Sequence, residues 1–132
     1  KYGLIVASLY QMPVDPHGID AGHRPLDYYG RNQFDFLLRR LADLLEDDGV
    51  ALIMQLSILS QERTALLLEE LGLEAKVVSF RLYFFSEGHV FNENLPHIND
   101  VENSSDAHHF SWGGTNAPGM YLLEIRKKKE KK

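Results

Sequence analysis

A run of apolar residues from Val50 to Leu59, interrupted only by Gln55 and Ser57, is the strongest hydrophobic signal in the chain. A strand that is buried on both faces is typically near-continuous in apolar residues, whereas a half-buried strand alternates. Gly49 precedes the run, and Ser60 follows it as a favourable helix cap. The pattern therefore predicts a central parallel strand over Val50–Leu59 that is covered on both faces.

Two segments have the 3.6-residue period of amphipathic helices. The first begins at Asn32, a favoured capping residue, and ends at Gly49, a residue suited to the position just past a helix. The second runs from about Ser60 to Leu71. The apolar face of the first helix consists of Phe34, Leu37, Leu38, Leu41, Leu44 and Leu45.

Three further segments have the character of strands. Leu4–Ala7 is short and β-branched at its centre, Lys76–Phe85 alternates like a strand near a sheet edge, and Gly119–Arg126 alternates again. Strands separated by helices predict a parallel sheet with right-handed crossovers. The last strand follows without a helix and is expected to return antiparallel. The predicted fold class is α/β, with a mostly parallel open sheet in a single domain over residues 1–126 and a basic tail over 127–132.

Two long irregular segments, Gln11–Arg31 and Ser86–Pro118, follow the carboxyl ends of predicted parallel strands. All six histidines and the single tryptophan lie within them. Ligands of open α/β sheets bind at the carboxyl ends of the strands, and long irregular connections are often functional. We therefore expect both segments to meet in one site, beside the residues that follow the central strand.

Composition narrows the classes of partner. The net charge of −5 over 132 residues argues against a broad nucleic-acid surface and leaves only a local basic patch for such a partner. The chain has no cysteine for disulfides or thiolate metal sites. No apolar stretch reaches the length of a membrane span, so we expect a cytoplasmic protein without a membrane partner. A strand predicted almost at Lys1 leads us to expect a piece of a longer protein.

Lys1–Tyr10 resembles the fourth strand and following motif of Rossmann-like class I methyltransferases, which use S-adenosyl-L-methionine. In the amino-methylating branch that strand ends in Asn/Asp-Pro-Pro-Tyr. Asp47–Met54 resembles the family's fifth strand, and Glu69–Leu73 and Tyr121–Ile125 fit its later helix and antiparallel seventh strand. The resemblance covers nearly the whole chain but only the second half of the fold. The glycine-rich turn and acidic residue of the cofactor-binding half have no counterpart here.

This resemblance implies methyl transfer from S-adenosylmethionine to a nitrogen acceptor of unknown identity, with the chain as the carboxyl-terminal part of the catalytic domain. The motif is degraded, because Ala7 or Ser8 occupies the Asn/Asp position and only Tyr10 of the motif remains. Asp27 or Ser8 would have to replace the missing carboxamide, and Asp27 is favoured because a carboxylate is the stronger hydrogen-bond acceptor. The candidate catalytic residues are therefore Ser8, Tyr10 and Asp27, and the candidate substrate-binding residues are Tyr28, Tyr29 and Arg31; no cofactor-binding residue is assigned.

Tyr10 and the segment Asp27–Arg31 also have purely structural interpretations. Tyr10 is equally well explained as a cap on the core, and Asp27–Arg31 as the start of the first helix, with Asn32 as its cap. Two other functions are open. The chain could be a non-catalytic half-Rossmann interaction module, which would associate with itself or a partner through its exposed first strand. It could instead bind a metal through loop residues such as Asp106, His108, His109 and His17.

Overall fold

The computed structural model describes residues 1–14, 27–84 and 90–129, and every statement below refers to these residues. They form six strands and four helices in the order β1 Tyr2–Ala7, α1 Asn32–Leu44, β2 Leu45–Leu56, α2 Gln61–Glu70, β3 Leu73–Leu82, α3 Val90–Glu93, α4 Leu95–Asn103, β4 Phe110–Trp112, β5 Thr115–Ala117 and β6 Gly119–Lys127.

The main sheet has four strands in the order β1-β2-β6-β3, and β4 and β5 form a separate hairpin. Strand β1 pairs with β2 in parallel, while β6 is antiparallel to both β2 and β3. Three strands thus run in one direction and β6 in the other. The α/β class and the antiparallel last strand are confirmed. The sheet is mixed and not mostly parallel as predicted, because β6 is inserted between β2 and β3 and leaves only one parallel ladder, β1 with β2, among the described strands.

Both connecting helices pack on the same face of the sheet. From β1 to β2 and from β2 to β3 the chain crosses the sheet in the same direction, and right-handed crossovers in one direction place their helices on one face. We call this the helix-covered face. Its strands and the two helices share a single core that includes Phe34, Leu38, Leu41, Ala51, Ile53, Leu67, Leu68, Leu123 and Ile125.

The alternate residues of the strands point to the opposite face, which we call the open face. It carries Leu4 and Val6 of β1, Leu52 and Met54 of β2, and Leu122 of β6. The two β2 residues are half-buried, whereas Leu4 and Val6 are 60% and 69% exposed. The prediction that the central strand is covered on both faces is therefore wrong for the open face.

The boundary between α1 and β2 differs from the prediction. The helix ends at Leu44 and β2 begins at Leu45, so Gly49 lies inside the strand and not after the helix. A Cβ on Gly49 would lie 2.9 Å from the carbonyl oxygen of Tyr2, so crowding against β1 accounts for a glycine here. Strand β2 also ends at Leu56, three residues before the predicted end.

Strand β3 lies at the sheet edge, as predicted. Its pairing with β6 is shifted between Val77 and Ser79 by a bulge. Val77 pairs with Leu123 and Phe80 with Tyr121, so the strict alternation expected from the sequence breaks at this point. Every residue of β3 after Leu73 is exposed.

The segment Ser86–Pro118, predicted as a loop, contains α3, α4 and the β4–β5 hairpin; residues 85–89 lie outside the described ranges. Gly113 and Gly114 make the hairpin turn with φ of 57° and 81°, a left-handed conformation that favours glycine. The strands on either side have only three residues each, too few for an alternating pattern that would predict a hairpin.

Candidate functional site

Arg31 links the beginnings of the two connecting helices. Its side chain is buried, and its Nη1 donates to the carbonyl oxygen of Ser60 at 2.8 Å. Its Nη2 donates to Thr64 Oγ1 and to Asp35 Oδ1, both at 2.9 Å. The guanidinium also lies 5.5 Å from the ring of Phe34. These contacts make Arg31 a clamp between α1 and α2.

Asp27 is buried in the turn before α1. Its Oδ1 accepts a hydrogen bond from the backbone N–H of Asn32 at 3.1 Å, and its carbonyl oxygen accepts from Val14 and Gly30. Asn32 is the first residue within α1, so it does not occupy the capping position that the sequence predicts for it. The Asp27 carboxylate therefore accepts a hydrogen bond from the first N–H of α1. The sequence predicts this role for the side chain of Asn32.

Tyr28 and Tyr29 are exposed beside this turn. Their ring centroids are 4.8 Å apart, and the ring of Tyr28 lies 4.4 Å from that of His97 in α4. His97 Nε2 is also 2.8 Å from the carbonyl oxygen of Tyr28. On the other side, the Arg63 guanidinium lies 5.4 Å from the Tyr29 ring. The turn before α1 and the segment after β3 thus meet, because His97 of α4 contacts Tyr28 of the turn.

A pocket of about 120 Å³ lies where these connections converge. Its walls come from the turn before α1, the first turn of α2 and the end of α4. This is small, close to the space that a few water molecules or one small polar group would occupy. The lining residues are Tyr29, Arg31, Ser60, Arg63, Val101, Ser104 and Ser105.

The two candidates from the degraded motif lie apart from this pocket. Ser8 is exposed just after β1, and Tyr10 is half-buried against the hydrophobic core. The sequence gives no signal for the role of the next residue, Gln11. Its buried amide donates to the carbonyl oxygen of Met54 and accepts from the N–H of Leu56 at 2.8 Å. Gln11 therefore fixes the segment after β1 to the end of β2.

Ser57, directly after β2, is completely buried. Its Oγ donates to the carbonyl oxygen of His108 at 2.6 Å and accepts from the N–H of Gly119 at 2.8 Å. The N–H of His108 donates in turn to the carbonyl oxygen of Ser57 at 2.8 Å. The end of β2 is thus tied to the start of β6. A serine within an apolar run was the only sequence signal for this junction.

The Asp106 side chain accepts hydrogen bonds at the N-terminus of α2. Ser60 Oγ donates to Asp106 Oδ1, and the N–H of Glu62 donates to Oδ2 at 2.9 Å. Ser60 Oγ also accepts from the N–H of Arg63 at 3.1 Å, so the predicted Ser60 cap is confirmed. Burial raises the pKa of Asp106, but the hydrogen bonds from Ser60 and Glu62 outweigh it and hold the pKa below its ordinary value.

The described histidines have protein partners. His109 Nδ1 lies 2.6 Å from Glu102 Oε1, and the His109 N–H donates to Glu102 Oε2 at 2.8 Å. His108 Nε2 lies 3.3 Å from the Tyr121 hydroxyl. Within the described ranges, no group of three or more His, Asp or Glu side chains is arranged to hold a metal ion. His17, His23 and His89 lie outside those ranges.

Comparison of the chain with protein-family models, with curated proteins and with solved structures found no match in any of the three. Among the described residues, no helix has both the length and the apolar character needed to cross a membrane.

Proposed function

We propose that this chain forms the carboxyl-terminal part of the catalytic domain of an S-adenosylmethionine-dependent methyltransferase that methylates a nitrogen acceptor. The arrangement of the strands carries the proposal. In a doubly wound Rossmann sheet the parallel strands are ordered 3-2-1-4-5-6. Strands β1, β2 and β3 follow one another across the sheet in the order of the 4-5-6 half. The antiparallel β6 agrees with the last strand that the resemblance of the sequence implies.

The open face gives independent support. Doubly wound sheets bury both faces under helices, whereas here the two crossover helices lie on one face and Leu4 and Val6 remain exposed on the other. An apolar face of this kind is explained if a further part of the domain covers it. The cofactor half of a methyltransferase would do so.

The chain's own part in the reaction is on the acceptor side. Methyl transfer requires the acceptor lone pair to be in line with the methyl group, so positioning dominates. Tyr28 and Tyr29 are exposed beside the pocket where the connections converge and can offer ring faces to a planar acceptor. Asp27 and Arg31 hold the turn that carries them.

S-adenosylmethionine would supply an activated methyl group on a sulfonium sulfur. The family's glycine-rich turn and acidic strand end have no counterpart in this chain, so its residues do not by themselves form a cofactor site. We therefore assign them no step that involves the cofactor.

The test is calorimetric titration of S-adenosylmethionine and S-adenosylhomocysteine into the complete protein that contains this chain and, separately, into residues 1–132. We expect micromolar binding by the complete protein and affinity weaker by about 100-fold or more for the isolated chain, because most contacts come from the other half. In the complete protein, Tyr29→Ala should lower turnover far more than cofactor affinity. Absence of cofactor binding by the complete protein would contradict the proposal.

The second candidate function is that of a non-catalytic interaction module, which the exposed β1 edge and open face also favour. The same titration separates the two. A complete protein that buries the open face but binds neither adenosyl compound would be an interaction module.

A further inference from the structure

Strand β3 pairs on one side only, with β6, so its other edge has no partner strand among the described residues. At one end of β3, Tyr83 donates its N–H to the carbonyl oxygen of Pro118, and at the other end Gly72 accepts from Lys128. Backbone groups point alternately to the two sides of an antiparallel strand. The residues whose N–H and C=O groups therefore point to the free edge are Leu73, Ala75, Val77, Phe80 and Leu82.

The side chains along this free edge are apolar and exposed. Val77, Phe80 and Leu82 are 54%, 47% and 43% exposed, although they lie on the helix-covered face. A long apolar edge with unpaired backbone groups is a template on which another strand can pair. The free edge of β3 is therefore a surface that fits a β-strand.

Two charges of opposite sign lie on the open face of the same strand. Glu74 and Arg81 are each paired with a β6 residue of the open face. They are seven positions apart, which would place them on opposite faces of a regular strand, but the bulge between Val77 and Ser79 brings them to the same face. Within the described ranges, neither side chain has an ion pair or a hydrogen bond.

We propose that β3 pairs antiparallel with β3 of a second copy of this chain, about a twofold axis that passes between Val77 and Val78. Glu74 and Arg81 are equally far from this axis, three positions to either side of the two valines. Glu74 of each copy therefore lies opposite Arg81 of the other copy, and the ion pair forms twice. The pairing joins two four-stranded sheets into one.

The direction of the backbone groups agrees with this register. Ala75 and Phe80, which both point to the free edge, become opposite each other and can exchange hydrogen bonds. Glu74 and Arg81 point their backbone groups to β6 and so form a pair without backbone hydrogen bonds, in which opposite side chains are closest. One register thus satisfies the backbone and the charges together.

Bulges and edge charges also serve to prevent pairing between sheets. Charges of like sign at these two positions would do so, because every copy would meet its own sign. Here the signs are opposite and symmetric about the bulge, so they attract a second copy in this register. The β3 edge is at the far end of the sheet from β1, and this inference does not depend on the proposed methyl transfer.

Charge reversal tests the register. The parent for this test is the chain with Val6→Glu, which suppresses association through β1, and sedimentation velocity should show a dimer with a dissociation constant of about 100 μM or below. Glu74→Arg or Arg81→Glu alone should weaken the dimer by about tenfold or more, because like charges then meet at both symmetric positions. The double variant should return to within about threefold of the parent value. A monomeric parent, or a double variant as weak as the single variants, would overturn the proposal.

A mixture of the two single variants gives an independent measurement. One variant is basic and the other acidic at both positions, so each should bind the other about tenfold or more tightly than it binds itself. Glu70→Arg, on the exposed side of α2 away from the edge, is the matched control and should leave the dimer unchanged. Melting curves verify that each variant is folded. Absence of the mixed dimer, or equal weakening by Glu70→Arg, would contradict pairing through β3.

Discussion

The two faces of the sheet are built from equally apolar strands but have different environments. On the helix-covered face Ala51, Ile53 and Ile125 are completely buried, while on the open face Leu4 and Val6 remain exposed. The difference arises because both crossovers pass over the same face. It shows that the hydrophobicity of a strand predicts the potential for burial, whereas the connections decide which face is buried.

The largest expected effect comes from placing a charge on each face in turn. Ile53→Asp puts an unpaired carboxylate into the core, at a cost of about 5 kcal/mol or more, comparable to the total stability of a small domain. Met54→Asp, one residue later, points to the half-buried open face and should lower the melting temperature without abolishing cooperative unfolding. Circular dichroism melting curves measure both. Equal losses would mean that the two faces are equally buried.

Removal of the Arg31 clamp between α1 and α2 should give the next largest effect. Arg31→Met leaves Asp35, Thr64 and the Ser60 carbonyl without their donor, and we expect a loss of about 2–3 kcal/mol in the free energy of unfolding. This is below the value for a fully buried pair because Asp35 is partly exposed. Arg63→Met, at an exposed position, is the control and should change stability by about 0.5 kcal/mol or less. Urea unfolding distinguishes them, and similar losses in both variants would exclude the clamp.

The open face should control association more than stability. If β1 is the self-associating edge, Val6→Glu should weaken association by about tenfold through charge repulsion and lost apolar contact, with little change in melting temperature. Leu66→Glu places the same charge at an exposed position of α2, away from both edges of the sheet, and should leave association unchanged. Sedimentation velocity over a range of concentrations measures this. A parent chain that stays monomeric throughout would refute association through β1.

The smallest expected effect concerns Asp106 and pH. Its folded pKa is below the ordinary value of 3.8, so its contribution to stability is present above that value and is lost as the pH falls through the folded pKa. Asp106→Asn should cost about 0.5–1 kcal/mol at pH 7, since the carboxylate is largely exposed to solvent. The difference from the parent chain should shrink in urea unfolding as the pH is lowered progressively below 3.8. Asp100→Asn, on the exposed side of α4, is the control, and a difference that persists in acid would contradict the cap.

Local sequence was sufficient where one element's own period or termini decide its structure. The apolar face of α1 is buried through Phe34, Leu38 and Leu41, as its spacing predicts, and Ser60 caps α2. The α4 helix was missed although Pro96 stands in its first turn, because a nine-residue helix in a polar segment has too little periodicity to stand out.

The role of the candidate site residues was not determined by their types. A buried arginine and aspartate near a strand end are as suitable for substrate as for structure, and only their partners distinguish the two. Arg31 reaches Thr64 and Ser60, which are about thirty residues away in the sequence, and the carboxylate of Asp27 is directed at the first N–H of α1. Gln11 likewise acquires its role only from the carbonyl of Met54 and the N–H of Leu56, which are 43 and 45 residues away in the sequence.

The sequence by itself determined that this chain has alternating strands and helices, that the strand after the second helix lies at a sheet edge, and that the last strand returns antiparallel. These features depend on local period, turn residues and connection length. Only the tertiary structure decided that β6 lies between β2 and β3. That insertion depends on which strands pair at long range, and it places β3 at the exposed edge and leaves one parallel ladder in the sheet.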